Sequence, residues 1–180
     1  MNRAIRYLLI AIVALAAVGA GYLASHNSAE SNLPEGVSRD AADQLLATTL
    51  PDTDNVEHTL AHWKGDILVV NFWATWCPPC VHEIPEFAAT SRRYADEPVQ
   101  FVGLSIDNLA NVLDFQERFD VPYPLLIGST QTLQLAQEFG NTARALPFTV
   151  ILDRDGSVSD VTLGTLDERA LVARIDKLLE

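Results

Sequence analysis

Positive charge is scarce in this chain: 12 Lys and Arg stand against 24 Asp and Glu among 180 residues, a formal net charge of -12. Nucleic-acid binding rests on neutralising phosphates with cations, so that class of partner is excluded. Cysteine is scarcer still, with two residues, Cys77 and Cys80. One such pair is half of the roughly four ligands of a structural zinc site, and although His62 and His82 are nearby no metal is expected. There is no internal repeat, and no low-complexity tract beyond a polar stretch near the N-terminus. What is present, 48% hydrophobic and 20% charged residues, suits one globular domain with a short extension.

The extension comes first. Tyr7 to Ala24 runs for 18 residues without a charge or a proline, close to the roughly 20 residues of a single membrane-spanning helix. Residues 1–25 are therefore expected to form an N-terminal anchor. Val18-Gly19-Ala20 supplies the small residues of a signal-peptide cleavage site, the alternative under which the domain is secreted. Neither cysteine lies near this segment, so lipid attachment there is excluded. Arg3 and Arg6 precede the apolar run and Glu30 and Glu35 follow it, which places the N-terminus inside and everything after Ala24 outside the plasma membrane. Residues 26–40, rich in Ser, Asn, Pro and Gly, read as a flexible linker, and a domain is expected over 41–180.

Within that domain two continuous apolar runs, Ile67 to Phe72 and Val99 to Ile106, read as buried strands. Each is followed by a helical pattern, over Pro79 to Tyr94 and Val112 to Phe119. Phe148 to Leu152 and Ser157 to Leu163 flank Asp153-Arg154-Asp155-Gly156, a hairpin signal. A last helix is expected over Asp167 to Leu179, capped by Thr165 or Asp167. A parallel βαβ half followed by an antiparallel hairpin and a helix predicts an α/β fold with a mixed central sheet.

The chemistry concentrates at Trp76-Cys77-Pro78-Pro79-Cys80, where a strand hands over to a helix. Cys77 falls at the N-cap position, where unpaired N–H groups and the helix dipole lower a thiol pKa from its usual ~8.5. It is the expected attacking thiolate, and Cys80, inside the first turn, the resolving thiol. Pro78 and Pro79 suit the first helical positions and also withhold backbone donors from the Cys77 sulfur. Glu83, three residues past Cys80, would raise a neighbouring thiol's pKa and offer a proton acceptor. Both effects favour a reductant, each worth about 1 kcal/mol or ~20–30 mV for a two-electron couple. Duller readings exist for the same residues: a structural disulfide, which would constrain so short a loop very little; a solvated first-turn Glu83; an exposed His82; and a core Trp76 in place of a docking aromatic.

Taken together, Leu68 to Pro85 resembles the active-site region of the thioredoxin superfamily, and more narrowly that of the membrane-anchored TlpA/ResA/DsbE-like proteins. Leu50-Pro51-Asp52 with Trp63-Lys64-Gly65 resembles the N-terminal β-extension of that family, and Ser105-Ile106-Asp107 to Pro124 its central insertion. Leu146-Pro147 with the following hairpin resembles its cis-proline loop. The resemblance implies that Pro147 is cis beside Cys77, that the Leu146 backbone pairs with an extended substrate, that Pro85 kinks the active-site helix, and that Glu83 transfers the proton. Asn71 stands where cytoplasmic thioredoxins carry a buried Asp; an amide cannot accept the resolving proton, which leaves Glu83 or water.

The implied activity is reduction of disulfides in client proteins, apocytochrome c or other periplasmic proteins among them. A membrane electron donor restores the dithiol, and no cofactor beyond the Cys77–Cys80 disulfide is needed. A thiol peroxidase of the same fold would carry Thr or Ser three residues before its cysteine and Pro seven before, where this chain has Ala74 and Val70. A copper-delivery protein would need three residues between its cysteines; here Pro78 and Pro79 alone intervene.

Overall fold

The structure, a computed structural model, describes residues 34, 36–38 and 40–180. The expected anchor over 1–25 lies outside the described residues. Among the described residues no helix is long and apolar enough to cross a membrane.

The end of the stretch read as a linker is held in place. Val37 forms an antiparallel bridge with Phe139, and the Ser38 N–H bonds the Glu138 carbonyl at 2.7 Å. The compact unit accordingly starts at Pro34, ahead of the boundary at 41 that composition suggested. Two backbone pairings outweigh a polar composition here, because composition reports solvation and not where a strand edge is offered.

Helix α1 (Ala41–Leu46), a hairpin of β1 (Thr49–Pro51) and β2 (Glu57–Thr59), and a short 3-10 helix (Leu60–Trp63) precede the main sheet. Then come β3 (Ile67–Trp73), α2 (Pro78–Arg93), β4 (Val99–Ser105), α3 (Leu109–Arg118), β5 (Leu125–Ile127), α4 (Thr132–Glu138), β6 (Phe148–Leu152), β7 (Val158–Leu163) and α5 (Glu168–Leu179). The five-stranded sheet has the order β5-β4-β3-β6-β7. Its β3, β4 and β5 are parallel, and β6 and β7 run antiparallel. This is the thioredoxin-like α/β architecture with a mixed central sheet.

Every residue of β3 is buried, as a central strand covered on both faces requires. On the face of Ile67, Val69, Asn71 and Trp73, a continuous core joins Ile84 and Phe87 of α2 with Leu171 and Ile175 of α5. Tyr94, just past α2, donates its hydroxyl to Asp176 of α5 at 2.7 Å. Leu68, Val70 and Phe72 face the other way and are equally buried. Asp167 caps α5, its side chain accepting the Ala170 N–H, and Asn108 caps α3 in the same way. The Asp-Gly turn closes β6 on β7, with Gly156 at φ 89° and its N–H bonded to the Asp153 carbonyl. Helix α2 runs unbroken through Pro85 to Arg93.

The row Leu125–Gly103–Asn71–Thr149 crosses four strands in register. Gly103 is there for space: a Cβ would meet Leu125 Cδ2 at 2.5 Å, Trp73 Nε1 at 3.1 Å and Tyr123 Cε2 at 3.3 Å. All three neighbours are buried, so none can swing into solvent. Gly103→Ala is expected to cost about 1–3 kcal/mol of stability through overpacking, read as a lower urea midpoint.

Candidate active site

The dithiol is positioned by the junction between β3 and α2. Cys77 occupies the N-cap with extended backbone, φ -98° and ψ 99°, and Pro78 and Pro79 open the helix. The Cys80 N–H donates to Cys77 Sγ at 3.3 Å. With both prolines lacking N–H, that donor is the one the first turn offers the sulfur. Cys77 and Cys80 are joined as a disulfide. Cys77 retains 5% exposure and Cys80 none, so an incoming sulfur reaches Cys77 first.

Glu83, three residues past Cys80 on α2, is 2% exposed. Asn71 donates Nδ2–H to Glu83 Oε1 at 2.8 Å and to Thr149 Oγ1 at 3.1 Å. The Leu166 N–H reaches Glu83 Oε2 at 3.1 Å. Burial, the largest influence, pushes the carboxyl pKa from 4.5 up to about 7, against the hydrogen bonds from Asn71 and Leu166, with the nearby Glu86 charge adding to the rise. The solvated first-turn reading of Glu83 is thus replaced by a carboxyl sealed between a strand, a helix and a loop. Through its Nδ2–H bond Asn71 orients Glu83.

The Leu146–Pro147 peptide is cis. Phe148 pairs with Phe72, and continuing that antiparallel register sets Pro147 opposite Trp73, at the end of β3 from which the redox loop departs. The Pro147 carbonyl accepts the Gly164 N–H at 2.9 Å. Leu146 is half-buried, and among the described residues no hydrogen bond engages its backbone. Trp76 is 62% exposed, in contrast to Trp73, which is in the core.

One element of the site had no reading in the sequence. Asp107, just past β4, accepts the Thr75 hydroxyl hydrogen, the Asn108 N–H at 2.7 Å and the Asn111 side-chain amide at 2.8 Å. Burial works against its charge, yet the bonds from Thr75, Asn111 and Asn108 together hold its pKa below the usual carboxylate value. This clamp fastens the loop carrying Trp76 to the start of α3. Its signal was an acid at the carboxyl end of a parallel strand, where sites in α/β sheets collect. Among the described residues no cluster of three or more His, Cys, Asp or Glu could hold a metal ion.

Known proteins resemble this chain in sequence and in fold. The chain is 27% identical over 178 residues to the thiol-disulfide oxidoreductase ResA of Geobacillus thermodenitrificans (strain NG80-2), covering 98% of this chain and 97% of that one. It is 26% identical over 156 residues to the thioredoxin-like protein YneN of Bacillus subtilis (strain 168), covering 84% and 85%. A solved thiol:disulfide interchange protein of the thioredoxin family from Chlorobium tepidum TLS superposes with a TM-score of 0.67 at 26% identity, covering 74% of this chain and 93% of that one. The Redoxin family model matches residues 39–179. With the buried Cys77–Cys80 disulfide, the cis-proline loop and the mixed sheet in place, the chain belongs to the Redoxin family and is a thioredoxin-fold thiol-disulfide oxidoreductase.

Proposed function

We propose that this protein reduces disulfides in client proteins outside the plasma membrane, tethered by its N-terminal segment. The observation that carries the reading is the Cys77–Cys80 disulfide at the head of α2 with a buried carboxyl of raised pKa three residues past Cys80. In the reduced protein the Cys77 thiolate attacks one client sulfur. A bond forms to Cys77 Sγ, and the other client sulfur leaves as a thiolate that takes up a proton. Cys80 then gives its proton to Glu83 and attacks Cys77 Sγ, which releases the second client sulfur. Two electrons have passed to the client, and a membrane dithiol donor resets the pair.

Client selection is assigned to Trp76 and to the backbone of Leu146 beside Pro147, whose free groups suit pairing with an extended segment. The extracytoplasmic address rests on the apolar run Tyr7 to Ala24 with Arg3 and Arg6 before it. The relatives' activity, thiol-disulfide oxidoreductase, supports the reaction class. Apocytochrome c and other exported thiol proteins are the client class.

Cys80→Ser is expected to trap covalent client adducts through Cys77 in intact cells, and Cys77→Ser to trap none. Absence of adducts from Cys80→Ser, read on non-reducing gels, would overturn the mechanism. The Cys77/Cys80 couple is expected near thioredoxin, about -270 mV; a value near the strong oxidant DsbA, about -120 mV, reverses the direction of electron flow.

Glu83→Gln tests the proton acceptor. Release of a trapped mixed disulfide is expected to slow by about a hundredfold and to lose its dependence on pH around 7. Stability reports the same group. Because burial raises the pKa, the folded state binds the proton more tightly than the unfolded chain, so the stabilisation is full below about pH 4.5 and is lost as pH rises through about 7. In urea titrations of the oxidised protein, Glu83→Gln is expected to gain on the parent by up to about 3 kcal/mol between pH 5 and pH 8.

A further inference from the structure

Resting on the disulfide-exchange reading above, we propose that the groove between α2 and the end of α3 is a second docking subsite, which seats the client segment flanking the attacked cysteine and selects an apolar residue followed by a cationic one. Its apolar walls are Pro78, Val81 and Pro85 of α2 and Phe119 just past α3, with His82 and Glu86 at its edges. It begins beside the dithiol: Pro78 directly follows Cys77, and Thr75, which also lines it, is clamped by Asp107. Between Thr75 and Pro78 in the chain stands Trp76, 62% exposed. Beyond Pro85 and Phe119 the depression continues past Ile84 and Ala88 to an ion pair between Arg92 and Asp120 at 2.7 Å.

Three features of this groove fit a polypeptide. It begins at Thr75 and Pro78, which flank the redox loop at Cys77, so a chain bonded to Cys77 brings its neighbouring residues to the mouth of the groove. Pro85 has no N–H to give the Val81 carbonyl, and the N–H of an extended peptide lying along α2 is a donor of the matching kind. The charge is one-sided. Glu86 lines the groove with one oxygen bonded to the Glu168 N–H at 2.7 Å, no Lys or Arg lines it near the dithiol among the described residues, and the whole chain carries -12. Such a surface draws in a cationic residue and repels an acidic one.

This subsite lies along α2, on a different wall from the Leu146–Pro147 segment. The two would hold residues on opposite sides of the client cysteine, so that Cys77 attacks a segment gripped at both ends.

The test uses the full 180-residue chain, purified in detergent and reduced, with a panel of disulfide-linked peptides whose cysteine is flanked on either side by Leu-Lys, Leu-Glu, Ser-Lys or Ser-Glu. The readout is the ratio of second-order rates within the panel, which cancels changes in the reactivity of Cys77 itself. The parent is expected to favour Leu-Lys over Ser-Glu by about tenfold or more, the value of one well-seated apolar side chain. Val81→Glu is expected to collapse the Leu preference towards unity. Glu86→Gln, which removes the charge but keeps a side-chain oxygen for the Glu168 N–H and so stays testable should Val81→Glu fail to fold, is expected to bring the Lys over Glu preference down towards unity. Equal rates across the panel in the parent, or a preference that survives both substitutions, would overturn the groove and leave disulfide exchange standing. No exchange with any peptide would overturn the exchange reading and the groove with it.

Discussion

The Glu83 carboxyl and the partners that hold it determine how the parts of this molecule meet. Asn71 of β3 and the Leu166 N–H from the loop before α5 both donate to it, and Asn71 also reaches Thr149 of β6. One buried acid thereby ties the central strand, the active-site helix, the antiparallel half of the sheet and the last helix to a single point. A half-satisfied buried carboxyl would cost several kcal/mol, so the network specifies register as well as chemistry. Removing either donor leaves one carboxyl oxygen without its partner. The redox pair inherits its position from this arrangement, since Cys80 is one turn earlier on α2.

The second constraint is convergence at the carboxyl ends of the parallel strands. The chain leaves β3 into the redox loop and leaves β4 into Asp107, and the bond from Thr75 to Asp107 joins the two exits. The cis-proline segment arrives at the same end from the antiparallel side, through the register of Phe148 with Phe72. Exposed groups then gather there without being close in sequence: Trp76, the half-buried Leu146 and the apolar groove along α2. The core beneath is buried, and the Cys77–Cys80 disulfide is the reactive feature that this end offers a partner.

Much of the sheet could be read in advance because its strands are long, apolar and bounded by strong turn chemistry. The run at Ile67, the run at Val99 and the Asp-Gly turn at Gly156 are of that kind. The strand Leu125–Ile127 and the helix Thr132–Glu138 had no reading. Three residues are too few to show a period, and the helix has no side-chain cap bond at its N-terminus. Helix α3 begins three residues before its apolar pattern suggested, because the Asn108 cap and not hydrophobic spacing sets the start. The docked stretch at Val37 and Ser38 was hidden for a related reason: its partners, Phe139 and Glu138, are a hundred residues away.

What the sequence determined by itself was the reaction centre: two thiols two prolines apart at a strand-to-helix junction, with an attacking cysteine at a helix N-cap. That follows from local rules of capping and spacing that need no knowledge of distant residues. Only the tertiary structure decided the surroundings of Glu83, which local spacing left between a solvated helix acid and a buried one. Its pKa is set by Asn71, Leu166 and the loss of water, and desolvation is a property of the packed molecule and not of any segment of it.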